Sequence, residues 1–184
     1  YGNFWGASAG WVVSDENFFM NSGLSKVFSN LKLRGSYGVV GNNQGIGDFA
    51  YWSFFGSGLY GTNASLAFSQ AGNRNLKWET SQKTDIGLEM GFLNNRINVE
   101  ATYYINNVDN LILNEPQAPS RGIPGNSILQ NIGSMKNQGI EFTVNAAVIQ
   151  KQGFTWNTGF NITTLKNEVT ALAAGGADIQ PATS

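Results

Sequence analysis

The chain has 184 residues, 12% of them charged, with 11 Lys/Arg against 12 Asp/Glu and a net charge of −1. That balance gives no electrostatic case for nucleic acid or an anionic surface, and the charged fraction is about half that of soluble domains. With no Cys and no His, disulfide frameworks, Cys/His zinc sites, Cys nucleophiles and histidine bases are all excluded.

The apolar pattern has period two along most of the chain, the signature of strands with one greasy face. Near the start, Trp5, Ala7, Ala9, Trp11 and Val13 share one face, with Gly6, Ser8, Gly10 and Val12 on the other. A mixed connection runs from Ser14 to Asn30, with a helical turn expected around Leu24 to Phe28. The second strand sets Leu31, Leu33, Tyr37 and Val39 against Lys32, Arg34, Ser36 and Gly38. A long Gly/Asn/Ser/aromatic loop is expected over 41–75.

The third strand, Trp78 to Phe92, carries Ile86, Leu88 and Met90 in its apolar set. Lys83, Asp85, Gly87, Glu89 and Gly91 make the opposite set. Asn94-Asn95 fits a tight turn, because Asn tolerates positive φ. The fourth strand sets Ile97, Val99, Ala101, Tyr103 and Ile105 against Asn98, Glu100, Thr102 and Tyr104. Each arm exceeds the usual five or six residues and reaches the roughly 9–11 tilted residues that cross a bilayer. A second long loop is expected over 109–130, with prolines at 116, 119 and 124. The fifth strand sets Ile140, Phe142, Val144, Ala146 and Val148 against Gly139, Glu141, Thr143 and Asn145. After a short turn at Lys151-Gln152-Gly153, the sixth sets Phe154, Trp156, Phe160 and Ile162 against Thr155, Asn157, Gly159 and Asn161.

These elements read as an all-β fold: an antiparallel up-and-down meander of about six strands, forming an arc of a large transmembrane β-barrel. Short turns at one end and long loops at the other suit such a barrel, though the 14–30 connection is too long for its end. Trp5, Trp78, Phe92, Tyr103, Phe154 and Trp156 are placed near strand ends, as interfacial girdles require. The alternative architecture is a soluble β-sandwich binding module, with the same aromatics as core. Six strands cannot close a membrane barrel, which needs about eight. The strand-like start and the polar Gly/Ala/Pro ending, Gly175 to Ser184, point to an excerpt of a longer polypeptide.

Four segments then become specific: LKLRGSYGVVGNN (31–43), LKWETSQKTDIGLEMGFLNNRINVEATYYINNVDNLIL (76–113), NIGSMKNQGIEFTVNAAV (131–148) and FTWNTGFNITTLKNEVTAL (154–172). In this order they resemble the barrel of the SusC/RagA group, TonB-dependent outer-membrane transporters of Bacteroidetes. The resemblance covers residue 1 to about 172. It implies uptake of oligosaccharides or peptides across a Gram-negative outer membrane, with a SusD-like surface lipoprotein as lid. It also implies energy from the TonB complex through a plug segment that is not in these residues. A TonB-dependent receptor for siderophores or vitamins would share the same wall.

On this reading the whole span 1–184 is one partial barrel. Ile86, Leu88, Met90, Val99, Tyr103, Phe142, Val144 and Phe160 are expected to face lipid. Lys83, Asp85, Gly87, Glu89, Gly91, Glu100, Gly139 and Glu141 are expected to face the lumen and the plug. The polar-phase glycines would leave room there for another backbone. The loop aromatics Tyr51, Trp52, Phe54, Phe55 and Tyr60, together with Arg121, are candidates for contact with lid or substrate.

No catalytic residue, metal or cofactor is expected. The glycines 38, 41, 45 and 47 lack the Lys-Ser/Thr ending of a phosphate loop and suit turns. Asp48, Asp109 and Glu115 have no ligand spacing and read as solvated loop acids. The remaining carboxylates are dispersed over strands, with no pair placed for glycoside hydrolysis.

Overall fold

The computed structural model describes residues 2–172, so the polar ending at 175–184 lies outside the described residues. Eight strands form: β1 (Gly6–Val12), β2 (Phe28–Asn42), β3 (Phe54–Tyr60), β4 (Asn63–Gln70), β5 (Glu79–Phe92), β6 (Ile97–Pro116), β7 (Ser127–Lys151) and β8 (Phe154–Ala171). Six of them build one antiparallel sheet in the order β1-β2-β5-β6-β7-β8, which is the expected meander. β3 and β4 pair only with each other, inside the segment expected to be a loop.

Register keeps the two faces in phase across the wall. One row of paired residues reads Leu33, Leu88, Ala101, Phe142 and Ile162. The adjacent row reads Arg34, Gly87, Thr102, Glu141 and Thr163. Because side chains alternate with period two, a slip of one residue in any strand would send its apolar set to the wrong face. The sheet is a single layer. Its apolar face stands open, with Ile86 and Phe160 57% and 61% exposed. Val13 and Phe19 are the only buried apolar side chains among the described residues. The sandwich alternative would need a second layer, and the described residues contain none.

The short end is tidier than its sequence suggested. Residues 14–27 are not a slack loop. 3-10 turns at Val13–Asp15 and Gly23–Lys26 flank α1 (Asn17–Met20). Phe19, 2% exposed, packs on Phe28, whose ring centroid lies 5.0 Å from that of Phe92. The connection thus caps the ends of β2 and β5. Between β5 and β6, Leu93, Asn94 and Asn95 all take positive φ, of 52°, 57° and 60°, so the turn is longer than the expected Asn-Asn pair. Gln152-Gly153 closes β7 onto β8, with Gly153 at φ 87° as a two-residue hairpin needs.

The long end differs more. The expected 109–130 loop is mostly strand, because β6 runs on to Pro116 and β7 begins at Ser127. The ladder resumes past an irregularity at Asp109-Asn110, where Asn110 has φ 58°. Pairs of an apolar with a polar residue then carry it: Leu113 with Gln130 and Asn114 with Leu129. Pro116 ends the strand, and Pro119 and Pro124 open 3-10 turns, where a missing N–H costs little. Tyr103 consequently sits mid-strand on β6 and not near an end.

Candidate functional site

On the polar face the register gathers charged side chains from three strands. Arg34 on β2 reaches past β5 to β6, placing Nη2 2.5 Å from Glu100 Oε1 and 2.7 Å from Thr102 Oγ1. Its Nε lies 3.3 Å from Glu89 on β5, and Lys32 Nζ lies 3.4 Å from the same carboxylate. Thr102 is the buried member, 8% exposed. One row on, the Ser36 hydroxyl donates to Asp85 at 3.2 Å. Lys83 and Glu141 share this face and, among the described residues, make no ion pair.

The glycines of this face, expected to leave room for another backbone, have mixed surroundings. A Cβ at Gly87 would strike the Arg34 side chain and one at Gly91 the Asn95 amide, so long polar side chains fold over these two bare positions. At Gly139 a Cβ would first strike the Thr164 backbone carbonyl, with the Tyr104 ring beside it, so there the missing side chain admits a neighbouring backbone.

The other expected set falls together on the apolar face. Leu88 and Phe142 share one row, Met90, Val99, Val144 and Phe160 share the next, and Ile86 pairs with Tyr103. The paired aromatics Phe28 and Phe92 mark the short-turn end of this band. Trp5 and Tyr37, 5.3 Å apart, mark the other.

The loop aromatics do not form one cluster. Tyr51 and Trp52 pair at 5.5 Å, with the Arg74 guanidinium 5.9 Å from the Trp52 ring centroid. Phe54 meets Phe49, while Phe55 meets Phe68 across the β3–β4 hairpin. Tyr60 stands at the hairpin tip, 84% exposed. Pairing places Phe55 and Leu59 with Ala64, Leu66 and Phe68 on one hairpin face. Leu59, Leu66 and Phe68 were not among the expected contacts. The signal that would have found them was Gly61-Thr62, a two-residue turn between alternating strands, with Gly61 at φ 63°. Arg121 belongs to a different hairpin tip, where its Nη1 donates to Gln117 at 2.5 Å. Gln117 and Gln130 both donate to Glu115, so this acid is bound within its hairpin.

An open one-layer sheet with a coherent apolar band on one face, charged residues on the other and long hairpins at one end is the shape of a piece of barrel wall. Residues 1–181 match the family described as TonB dependent receptor-like, beta-barrel. The chain belongs to the TonB-dependent receptor β-barrel family. It is 38% identical to the TonB-dependent receptor SusC of Bacteroides thetaiotaomicron, over 95% of this chain and 18% of that protein. It is 36% identical to the TonB-dependent receptor P39 of Formosa agariphila, over 94% of this chain and 16% of the relative. Among solved structures it resembles the RagAB peptide importer in its open-open state, with TM-score 0.81 and 26% identity over 94% of this chain and 18% of that one. The closed-closed state gives 0.79 and 27%, at the same coverage. The chain therefore spans about one sixth of the length of the receptors it matches, and the six-stranded sheet is an arc of the family's barrel.

Proposed function

We propose that this chain is a wall segment of an outer-membrane TonB-dependent importer of oligosaccharides or peptides. The importer would work with a SusD-like surface lipoprotein as lid and take energy from the TonB complex through a plug absent from these residues. The observation that carries the reading is the in-phase apolar band. On β6 it runs for nine residues, Ile97 to Ile105, which suits a tilted membrane strand of about 9–11 residues. It belongs to a chain 38% identical to a receptor named SusC and close in fold to a peptide importer. In this assignment Ile86, Leu88, Met90, Val99, Tyr103, Phe142, Val144 and Phe160 meet lipid. The set of Lys83, Asp85, Gly87, Glu89, Gly91, Glu100, Gly139 and Glu141 meets the lumen and plug. The chain carries out no chemistry of its own; its work is to hold the wall and present loops.

The test is uptake by cells expressing the full-length transporter, offered labelled oligosaccharides, oligopeptides and an iron chelate separately. Uptake of a sugar or peptide that stops when either the partner lipoprotein or the ion gradient is removed is the expected result. Uptake of the chelate alone, indifferent to the lipoprotein, would replace this reading with the siderophore-receptor one.

A further inference from the structure

At the long end of the wall lies a cavity of about 680 Å³ that the import reading does not use. Its floor is Val39 and Thr80, and its walls are Phe4, Trp78, Tyr51 and the 43–50 loop. Which side of the sheet it opens on follows from register. Val39 and Thr80 belong to the same alternating sets as Tyr37, Leu33 and Leu88, with no irregularity between Asn30 and Asn42. The cavity therefore opens on the apolar face, away from the face that carries Arg34 and Glu89. The Phe4 ring lies where Gly41 has no side chain and stacks on Trp78 at 5.6 Å, with 15° between the planes.

Height along the wall follows too. The Gly41–Thr80 pair lies four residues beyond Tyr37–Thr84, the last row of the apolar band. That is about 13 Å along a strand and roughly 9 Å in height at a tilt of about 45°. The interfacial layer on each side of a bilayer is roughly 5–8 Å thick. A cavity at this level meets headgroups and the sugars above them, not acyl chains. Two cations line it, Arg74 and Lys77, against one acid, Asp48. The chain as a whole, at −1, attracts no anion; this lining does.

From the outward face, the headgroup height, the stacked aromatics and the paired cations, we infer that this cavity holds the phosphorylated sugar headgroup of an outer-leaflet glycolipid. Arg and Lys suit the phosphate, and aromatic faces suit a sugar ring. The inference rests on the membrane placement proposed above. It is read, however, from bound lipid and not from transport.

The test uses the full-length transporter in nanodiscs, with lipid A, its dephosphorylated form and inorganic phosphate as separate probes, read by native mass spectrometry. Retained lipid A should exceed the dephosphorylated form, and Arg74→Gln with Lys77→Gln should lower it about tenfold. Asp48→Asn should raise retention, a change that misfolding does not produce. Phosphate alone should not compete at millimolar concentration. Equal retention of the two lipids, or retention indifferent to all three substitutions in a normally inserted barrel, overturns the inference and leaves the importer reading intact. A barrel that fails to insert at all would instead remove the importer reading.

Discussion

Arg34 on β2 and Glu100 on β6 touch at 2.5 Å although β5 lies between them. The link exists because the intervening residue is Gly87, which pairs with Arg34 on one side and Thr102 on the other. A Cβ there would stand 2.5 Å from Arg34 Nε and 2.7 Å from its Cζ. Gly87 thus works as a saddle over which one guanidinium ties three strands.

This gives a coupling prediction. The Arg34–Glu100 ion pair is partly solvated, 35% and 49% exposed, so by itself it contributes less than about 1 kcal/mol. The bond to buried Thr102 matters more. Arg34→Met strands that hydroxyl and should cost about 1–3 kcal/mol. Gly87→Ala should lose much of the same energy by pushing Arg34 aside. The double variant should then fall short of additivity by at least about 0.5 kcal/mol. Urea unfolding of the full-length barrel in vesicles measures all three. Strict additivity would mean that the saddle is incidental.

The faces can be tested independently. Leu88 and Val144 lie mid-band on the apolar side, and each change to Arg should cost about 2–4 kcal/mol near the bilayer midplane. Lys83→Ala, exposed on the opposite face, should stay within about 0.5 kcal/mol. Nitroxide labels at 88 and 144 should be relaxed by oxygen and not by a water-soluble nickel chelate. The reverse pattern would remove these residues from the lipid surface.

Residues 1–184 expressed alone should show no cooperative, reversible melting in water. The described sheet is one layer with an apolar face open and nearly no buried core, and the outer edges of β1 and β8 have no partner within it. A sharp calorimetric transition for the detergent-free segment would contradict this.

What the sequence made legible, and what it hid, follows from phase. Leu88 and Val144 could be placed because an unbroken period of two needs no partner strand to be read. The β3–β4 hairpin was hidden because its ladder shifts between Phe54 and Phe55, putting two aromatics in succession and breaking the alternation. The same happened on β6, where the irregularity after Val108 resets the phase, so the alternation breaks off before the strand's last stretch, 109–116, about 26 Å of chain at roughly 3.3 Å per residue. The Arg34–Gly87–Thr102 saddle was out of reach for a different reason. Its members are spread over three strands, and only register, which composition does not specify, brings them together.

The loop prediction is sharper for knowing where the aromatics stand. Long hairpins held by a rigid wall are suited to recognition. Trp52, held by Arg74, belongs to the base, whereas Phe55, Leu59 and Leu66 belong to one hairpin face, 64%, 76% and 79% exposed. Exposed apolar side chains grouped on one face are what a docking partner would cover. Changing Phe55, Leu59 and Leu66 together to Ser in the full-length transporter should reduce uptake or lipoprotein co-purification. Barrel abundance and heat-modifiable gel mobility should stay normal. Trp52→Ser should instead loosen the loop base, seen as faster proteolysis between 41 and 75. Unchanged uptake and co-purification for the triple variant would end any recognition role for this face. A fall in abundance would make it packing only. Orientation has its own check: a membrane-impermeant thiol reagent on intact cells should label a cysteine at 55 and miss one at 95, because the two positions lie at opposite ends of the wall.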